Sequence, residues 1–461
     1  MSAVESTISE RSQKLADQLS GSVVTPADPG WDAARRAWNL AVDQRPDLVV
    51  FPSCAADVAA AVRFAAESGL QVVPQSTGHL ASSLGPLDGC LLLNVSRLAV
   101  VQVDPENRTV RAGAGAVWGE VTDAVAGHGL TALAGSSRVV GIAGYLLGGG
   151  YSWLARRHGL GCTMVTALDV VTADGRELHV TADDEPDLFW SLRGGGGNAA
   201  IATAITFRVL PLSDVYAGMM LFPLDRAAEV LNAYEAWTRD LDESATTCVR
   251  LLRIPPLPDL PDFLRGHAFA AVDGAIDAPD ALAESLLGPL RALGPVVDTF
   301  ARIPTGQLGL IHLDPPMPVA GIGDGVVIDD LPADAIDALL TVAGPSVDSA
   351  LLAVDLRHLG GAAGRPADGG GALDHLPGRF VVYAVGMLPG PDPAIAAALA
   401  EQVRAVRSVL APWKSVRDYA NMRDVTVEAS RLHAPETLER LRAVKQAYDP
   451  DGVIRTGHGL A

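Results

Sequence analysis

Four cysteines in 461 residues are too few and too scattered to staple a fold or hold zinc. Cys54, Cys90, Cys162 and Cys248 form no C-x-x-C pair and have no local histidine to complete a ligand set, so buried free thiols and no metal are expected. Basic residues are also short, 35 Lys and Arg against 54 Asp and Glu, and the net charge of -19 repels a phosphate backbone, which excludes nucleic acid as a partner. Long apolar runs are missing: no stretch reaches the roughly 18 residues of a membrane span. The opening MSAVESTISERSQKLADQLSG lacks the apolar centre of a secretory signal, so the expected location is the cytoplasm. No Walker loop, G-x-S-x-G elbow or H-E-x-x-H occurs, which leaves hydrolase, kinase and zinc-protease readings without a motif.

What is present is a chain 49% hydrophobic, long enough for two domains and rich in glycine, with 47. The pattern predicts a helix from Asp57 to Ser68 that stops at Gly69, followed by short strands at Leu70–Val73, Leu91–Asn94, Val100–Val103 and Thr109–Ala112. A second helix begins near Val117 and ends at Gly129, and strands at Ala167–Thr172, Glu177–Thr181 and Ile201–Leu210 follow. Beyond Pro211 the expected strands are Tyr216–Leu221, Thr247–Ile254, His267–Val272, Val296–Phe300, Ala350–Leu356 and Phe380–Met387. Helices near Asp225–Thr238, Pro279–Leu293, Ala333–Val342 and Pro393–Leu410 alternate with them, and Pro435–Tyr448 forms the last helix. The fold class is therefore α+β, its second part an antiparallel sheet covered by helices.

Three stretches carry candidate chemistry. Gly113-Ala114-Gly115-Ala116-Val117-Trp118-Gly119 imitates a dinucleotide fingerprint, but its third glycine is one place late. Pro74-Gln75-Ser76-Thr77-Gly78-His79 is a small-residue loop at the end of a strand, whose free backbone N–H groups can wrap a pyrophosphate. From Leu133 to Gly150 glycine is so frequent that the backbone must pass where side chains would collide with it or with a ligand. On its own His79 reads as a histidine satisfied by a backbone carbonyl beside a turn.

Co-linear motifs reverse that ranking. Trp38-Asn39, Gly78-His79, the run Gly141-Ile142-Ala143-Gly144-Tyr145-Leu146-Leu147-Gly148-Gly149-Gly150 and Arg156-Arg157-His158-Gly159-Leu160 come first. Val171-Thr172-Ala173-Asp174-Gly175, Pro186-Asp187-Leu188-Phe189-Trp190 and Arg193-Gly194-Gly195-Gly196-Gly197-Asn198 continue the order, and Tyr419-Ala420-Asn421 and Tyr448-Asp449-Pro450 close it. In this order they resemble the vanillyl-alcohol-oxidase (VAO/PCMH) type of flavoprotein, in the berberine-bridge-enzyme-like branch with its bacterial 6-hydroxynicotine oxidase relatives. The resemblance implies FAD, joined covalently to His79. It implies flavin contacts at Gln75, Ser76, Thr77, Gly78, Leu80, Gly135, Ser136, Ser137, Val140, Gly141, Gly144, Gly148, Gly149, Gly150, Asn198, Ile201, Asn421 and His458. A second bond, from cysteine in some members, would fall at Ser137, so single attachment is expected. Gln75 stands where arginine is common, Ala199-Ala200 replace Phe-Gly, and Gly457-His458-Gly459 replaces an asparagine-containing ending. Tyr419 and Tyr151 take the catalytic places.

The resemblance further implies a PCMH-type FAD-binding domain over residues 1–212, completed by 412–461, and a substrate-binding domain over 213–411. The implied activity is oxidation of a small organic substrate by hydride transfer to flavin N5, with O2 as electron acceptor. A dehydrogenase with another acceptor, a non-redox flavoprotein catalysing a cyclisation or isomerisation, and a binding or structural protein that has lost its cofactor are the alternatives. Arg250, Arg253, His312, Arg357 and His358 are candidate substrate contacts.

Overall fold

The computed structural model describes residues 3–258 and 261–460. Three sheets organise it. The first runs in the order Ser22–Val24, Leu48–Phe51, Cys90–Asn94, Gln71–Gln75, with the last three strands parallel. The helix Ala55–Ser68 crosses between two of them and buries Val58, Ala61, Val62 and Ala65, a spacing that puts one apolar stripe on the sheet. This βαβ crossing departs from the expected pattern because Leu48–Phe51 goes unread: four apolar residues after a proline are too short to show a period, and only the two flanking strands make them a buried central strand.

The second sheet is antiparallel, in the order Val101–Asp104, Thr109–Gly113, Ala200–Arg208, Val165–Thr172, Glu177–Val180. Both sheets share one apolar core with Trp118, Ile142 and Leu146. The C-terminal tail returns to this unit, where Val72 N–H donates to the Val453 carbonyl at 2.7 Å and Arg455 N–H to the Val72 carbonyl at 2.9 Å.

The third sheet has eight antiparallel strands, Asp214–Pro223, Ala268–Ile276, Ala245–Arg253, Leu351–His358, Phe380–Met387 and Gly321–Ile328 forming its body. Strand alternation sorts its residues. Val249, Leu251, Val354, Leu356, Val382 and Ala384 face the core under the helices Ala227–Thr238, Asp280–Arg291, Ala333–Ala343 and Pro393–Val409. Arg250, Leu252, Asp355, Arg357, Tyr383 and Val385 face the other way, into a cavity. Gly321–Ile328 escapes a sequence reading because three glycines and an aspartate interrupt it. A Cβ at Gly323 would lie 2.3 Å from the Tyr383 hydroxyl, and Asp324 is paired with Arg423 at 2.8 Å. Of the expected Val296–Phe300 strand only Val297–Asp298 forms, and a separate short strand, Ala301–Pro304, follows it.

Two polar ties join the sheets. Asn39 exchanges hydrogen bonds with the Gly321 backbone at 3.1 and 3.2 Å. Arg156 is buried and donates to the carbonyls of Leu241, Asp242, Ala245 and Leu359. No helix of the described residues is long and apolar enough to cross a membrane.

Candidate active site

A cavity of about 820 Å³ lies between the sheets, large enough for a cofactor and a small molecule together. Its floor is the loop 75–80, and the backbone N–H groups of residues 77–80 donate to nothing among the described residues. Those of residues 135–137, on the same wall, are free as well. Rows of free N–H groups carry fixed partial positive charge and suit a pyrophosphate.

His79 sits at the end of this floor. Its ring stacks on Trp38 with centroids 4.2 Å apart, and Nδ1 meets Thr77 Oγ1 at 2.7 Å. Its buried Nε2 has no partner. Burial drives its pKa down to about 4, against the pull of Asp314, so the imidazole is neutral at neutral pH and keeps a lone pair for bonding. The Gln75 amide is buried with neither Nε2 nor Oε1 satisfied, a cost of about 1–3 kcal/mol for each group that a ligand would remove.

The glycines divide into two kinds. A Cβ on Gly144 would meet no atom within 4 Å, and Gly144 lines the cavity, so a side chain there would fill ligand space. A Cβ on Gly141 would lie 2.6 Å from Ser76 Oγ and one on Gly148 1.9 Å from Asn421 Oδ1, so these two admit neighbouring side chains instead.

At the opposite end Tyr419 is buried, and its hydroxyl oxygen accepts from Gly150 N–H at 2.9 Å and from Asn421 Nδ2 at 3.1 Å. Burial raises its pKa above the ordinary tyrosine value, while those two donors and Arg357 oppose the rise. Asn421 Nδ2 also reaches the Tyr145 carbonyl at 3.0 Å, which fixes the amide.

Unpartnered nitrogens at the floor, free N–H groups and a neutral cradle together fit a flavin dinucleotide, and similarity agrees. Residues 46–181 match the model of an FAD-binding domain family. The chain is 26% identical to (R)-6-hydroxynicotine oxidase of Paenarthrobacter nicotinovorans over 97% of its own length and 99% of the relative's. Its fold superposes on 6-hydroxy-D-nicotine oxidase from Arthrobacter nicotinovorans with a TM-score of 0.84, at 22% identity, covering 94% of this chain and 96% of the other. Glucooligosaccharide oxidase from Acremonium strictum, a protein with 6-S-cysteinyl, 8α-N1-histidyl FAD, superposes with a TM-score of 0.81 at 21% identity, covering 98% of each chain. The chain is an FAD-linked oxidoreductase, and its fold is that of 6-hydroxy-D-nicotine oxidase and of berberine bridge enzyme. Its cofactor is FAD.

In this flavoprotein the cavity brings together Gln75, Ser76, Thr77, Gly78, His79, Leu80, Gly135, Ser136, Ser137, Val140, Gly141, Gly144, Gly148, Ile201, Asn421 and His458, with Tyr151 and Tyr419. Three expected contacts stand behind the wall. Gly149 is pressed against Leu373 and Tyr419, and Gly150 against Tyr145. Asn198 accepts from Thr456 Oγ1 at 2.7 Å and donates to the Gly195 carbonyl at 2.9 Å, so it braces the ending that carries His458. Tyr151 donates its hydroxyl to the His358 carbonyl, which commits its proton to the backbone. No cysteine lines the cavity: Cys162 is buried against the Leu373 carbonyl, and burial pushes its thiol up to about 12.

Of the substrate candidates, Arg250 and Arg357 line the cavity. Arg253 turns away to the carbonyls of Ala343 and Gly344, as its odd place on the strand requires, and His358 packs on Phe380. His312 is buried behind the arginines, with Nδ1 2.6 Å from Asp273 and Nε2 3.1 Å from Asp355. Burial and Arg250 lower its pKa, but Asp273 and Asp314 outweigh them and leave it raised.

One lining group has no sequence signal beyond its type. Asp424 is buried beside Tyr383, whose hydroxyl lies 3.2 Å from both carboxylate oxygens, and it faces Asp324 without a cation of its own. Burial and Asp324 push it up to about 7. Only its position three residues after Asn421 could have pointed to it.

Proposed function

We propose that this oxidoreductase is an oxidase that holds FAD covalently through His79 alone and oxidises a small organic molecule with O2 as electron acceptor. Residues 1–212 with 412–461 would hold the flavin, and residues 213–411 would supply the substrate side. The observation that carries the reading is the neutral, unpartnered His79 at one end of a cavity whose other end holds Tyr419. Bound there, FAD supplies the two-electron acceptor for oxidising a C–H bond beside oxygen or nitrogen, and O2 takes the electrons on to hydrogen peroxide.

The chain's own residues do the rest. Thr77 and Trp38 fix the plane of His79. Ser137 stands at the place that the resemblance gives to a second attachment and offers no thiolate, which supports a single one. Gly150 N–H and Asn421 Nδ2 donate to the Tyr419 oxygen and, against the burial that raises its pKa, would lower the cost of the phenolate that takes the substrate proton. The 1-helix-turn spacing of Gly144 and Gly148 leaves open space at one and a seat for Asn421 at the other.

The test needs no substrate. Acid-denatured protein should keep its yellow colour on the polypeptide. Protein photoreduced without air and then mixed with it should reoxidise at once, with one peroxide per flavin. Release of all the flavin overturns the covalent bond, and slow reoxidation that speeds up only with an added acceptor overturns the oxidase in favour of a dehydrogenase.

A further inference from the structure

The substrate side of the cavity is sharply divided between a charged wall and an apolar mouth. On the wall, Asp273 and Asp355 are already committed: Arg250 donates Nη1 to Asp273 at 3.2 Å and Nε to Asp355 at 3.1 Å, and His312 faces both carboxylates. Asp314 accepts from Ser136 Oγ at 2.8 Å. Arg357 is what remains. It is 8% exposed and lines the cavity, yet it has no carboxylate of its own. Its Nη2 shares Asp355 at 3.2 Å and meets His312 Nε2 at 2.9 Å, both Nη atoms reach Ser136 Oγ only at 3.5 Å, and Nε has no partner. A buried guanidinium normally takes bidentate, charge-assisted bonds near 2.7–2.9 Å. Here its nearest ion pair is long and shared with two other cations.

The mouth is different. Ile254, Leu257, Leu264, Leu313, Pro316 and Met317 line it, with Leu257, Leu313 and Met317 51%, 54% and 68% exposed. Aliphatic side chains left this open at the rim of a cavity serve to take apolar surface out of water. They offer no hydroxyl, amide or aromatic face to a sugar.

We infer that the substrate of this enzyme is an apolar molecule carrying a carboxylate, whose anionic oxygens Arg357 anchors while the aliphatic mouth covers its body. The inference rests on the reading of this cavity as the site shared by flavin and substrate. It names Arg357 as the specificity-determining residue, with Ser136 as the hydroxyl beside it.

The test is calorimetric titration of the flavin-loaded protein with benzoate and with its neutral isostere benzamide, in a buffer free of carboxylates. The flavin content is read from the visible absorption of the same sample. Benzoate should bind at least about tenfold tighter than benzamide, as the loss of one charge-assisted bond implies. In Arg357→Gln the benzoate advantage should vanish while benzamide binding stays within about twofold, and Arg357→Lys should restore part of it. Equal binding of the two probes by the wild type, or no binding of benzoate, overturns the inference even if the variants fail to fold. So does an undiminished benzoate advantage in a folded Arg357→Gln. Flavin that is absent or leaves on acid treatment overturns the proposed attachment instead, and the benzoate–benzamide comparison still stands on its own heat signal.

Discussion

The two walls of the cavity are built on opposite principles. The wall from the first two sheets is neutral and underused: free backbone N–H groups, an amide at Gln75 with nothing to bond, a histidine with a bare nitrogen and a glycine opening on empty space. The wall from the eight-stranded sheet is ionic and nearly saturated, with Arg250, His312, Asp273 and Asp355 bonded to one another. A neutral surface with unmet hydrogen bonds is finished by a ligand, whereas an ionic surface that satisfies itself stays in place while a ligand comes and goes. The first suits a cofactor that never leaves, the second a substrate that must.

The sharpest attempt to break this contrast is Arg250→Met. It removes the guanidinium that bridges Asp273 and Asp355 and leaves these buried carboxylates to His312 and Arg357, and a loss of about 3–5 kcal/mol in denaturant unfolding is expected. A loss no larger than that of a surface pair would show the charged wall to be no more than decoration. His79→Ala should do the reverse: abolish flavin attachment, read as colour released by acid, while the unfolding midpoint of the flavin-free chain stays close to wild type. Gly144→Leu should cut flavin content about tenfold or more, the effect of losing ~1.4 kcal/mol of binding, and leave the circular dichroism spectrum intact. If instead the fold collapses, Gly144 serves packing, as Gly148 does.

The smallest effects are in pH. His79 and His433 both have folded pKa values lowered from 6.5 to about 4 by burial. The unfolded chain therefore binds their protons first, so the stability is complete above 6.5 and falls as the pH drops towards 4. Asp424 runs the other way. Its folded pKa, raised from 3.8 to about 7, favours the folded chain most at acid pH, and this contribution is lost as the pH rises through 7. Asp424→Asn should raise the Tm at pH 8 by a few degrees and change little at pH 5, and a Tm shift independent of pH would refute the raised value.

Much of the site could be read in advance because its residues are local. Gln75 to Leu80 act through one loop, and the Gly141–Gly150 run acts through its backbone, so sequence order already places them together. Tyr419 and Asn421 are two residues apart and share one hydrogen bond. The strands Thr247–Ile254 and Phe380–Met387 were legible from β-branched composition, while Gly321–Ile328 was not, since its glycines are explained by Val382, Tyr383, Gly386 and Met422 on other segments.

The sequence by itself determined the two element patterns, the glycine-rich turns and the histidine at the end of a strand, since these depend on backbone conformation and periodicity along one stretch of chain. Only the tertiary structure decided that Gly149, Gly150 and Asn198 stand behind the wall, that Tyr151 spends its proton on a carbonyl, and that Asp424 and Arg357 face the cavity short of partners. Charge pairing, burial and unmet hydrogen bonds are relations between residues far apart along the chain, such as Arg250 with Asp355, 105 places apart, or Gly150 with Tyr419, 269 places apart, and they exist only once the sheets have packed.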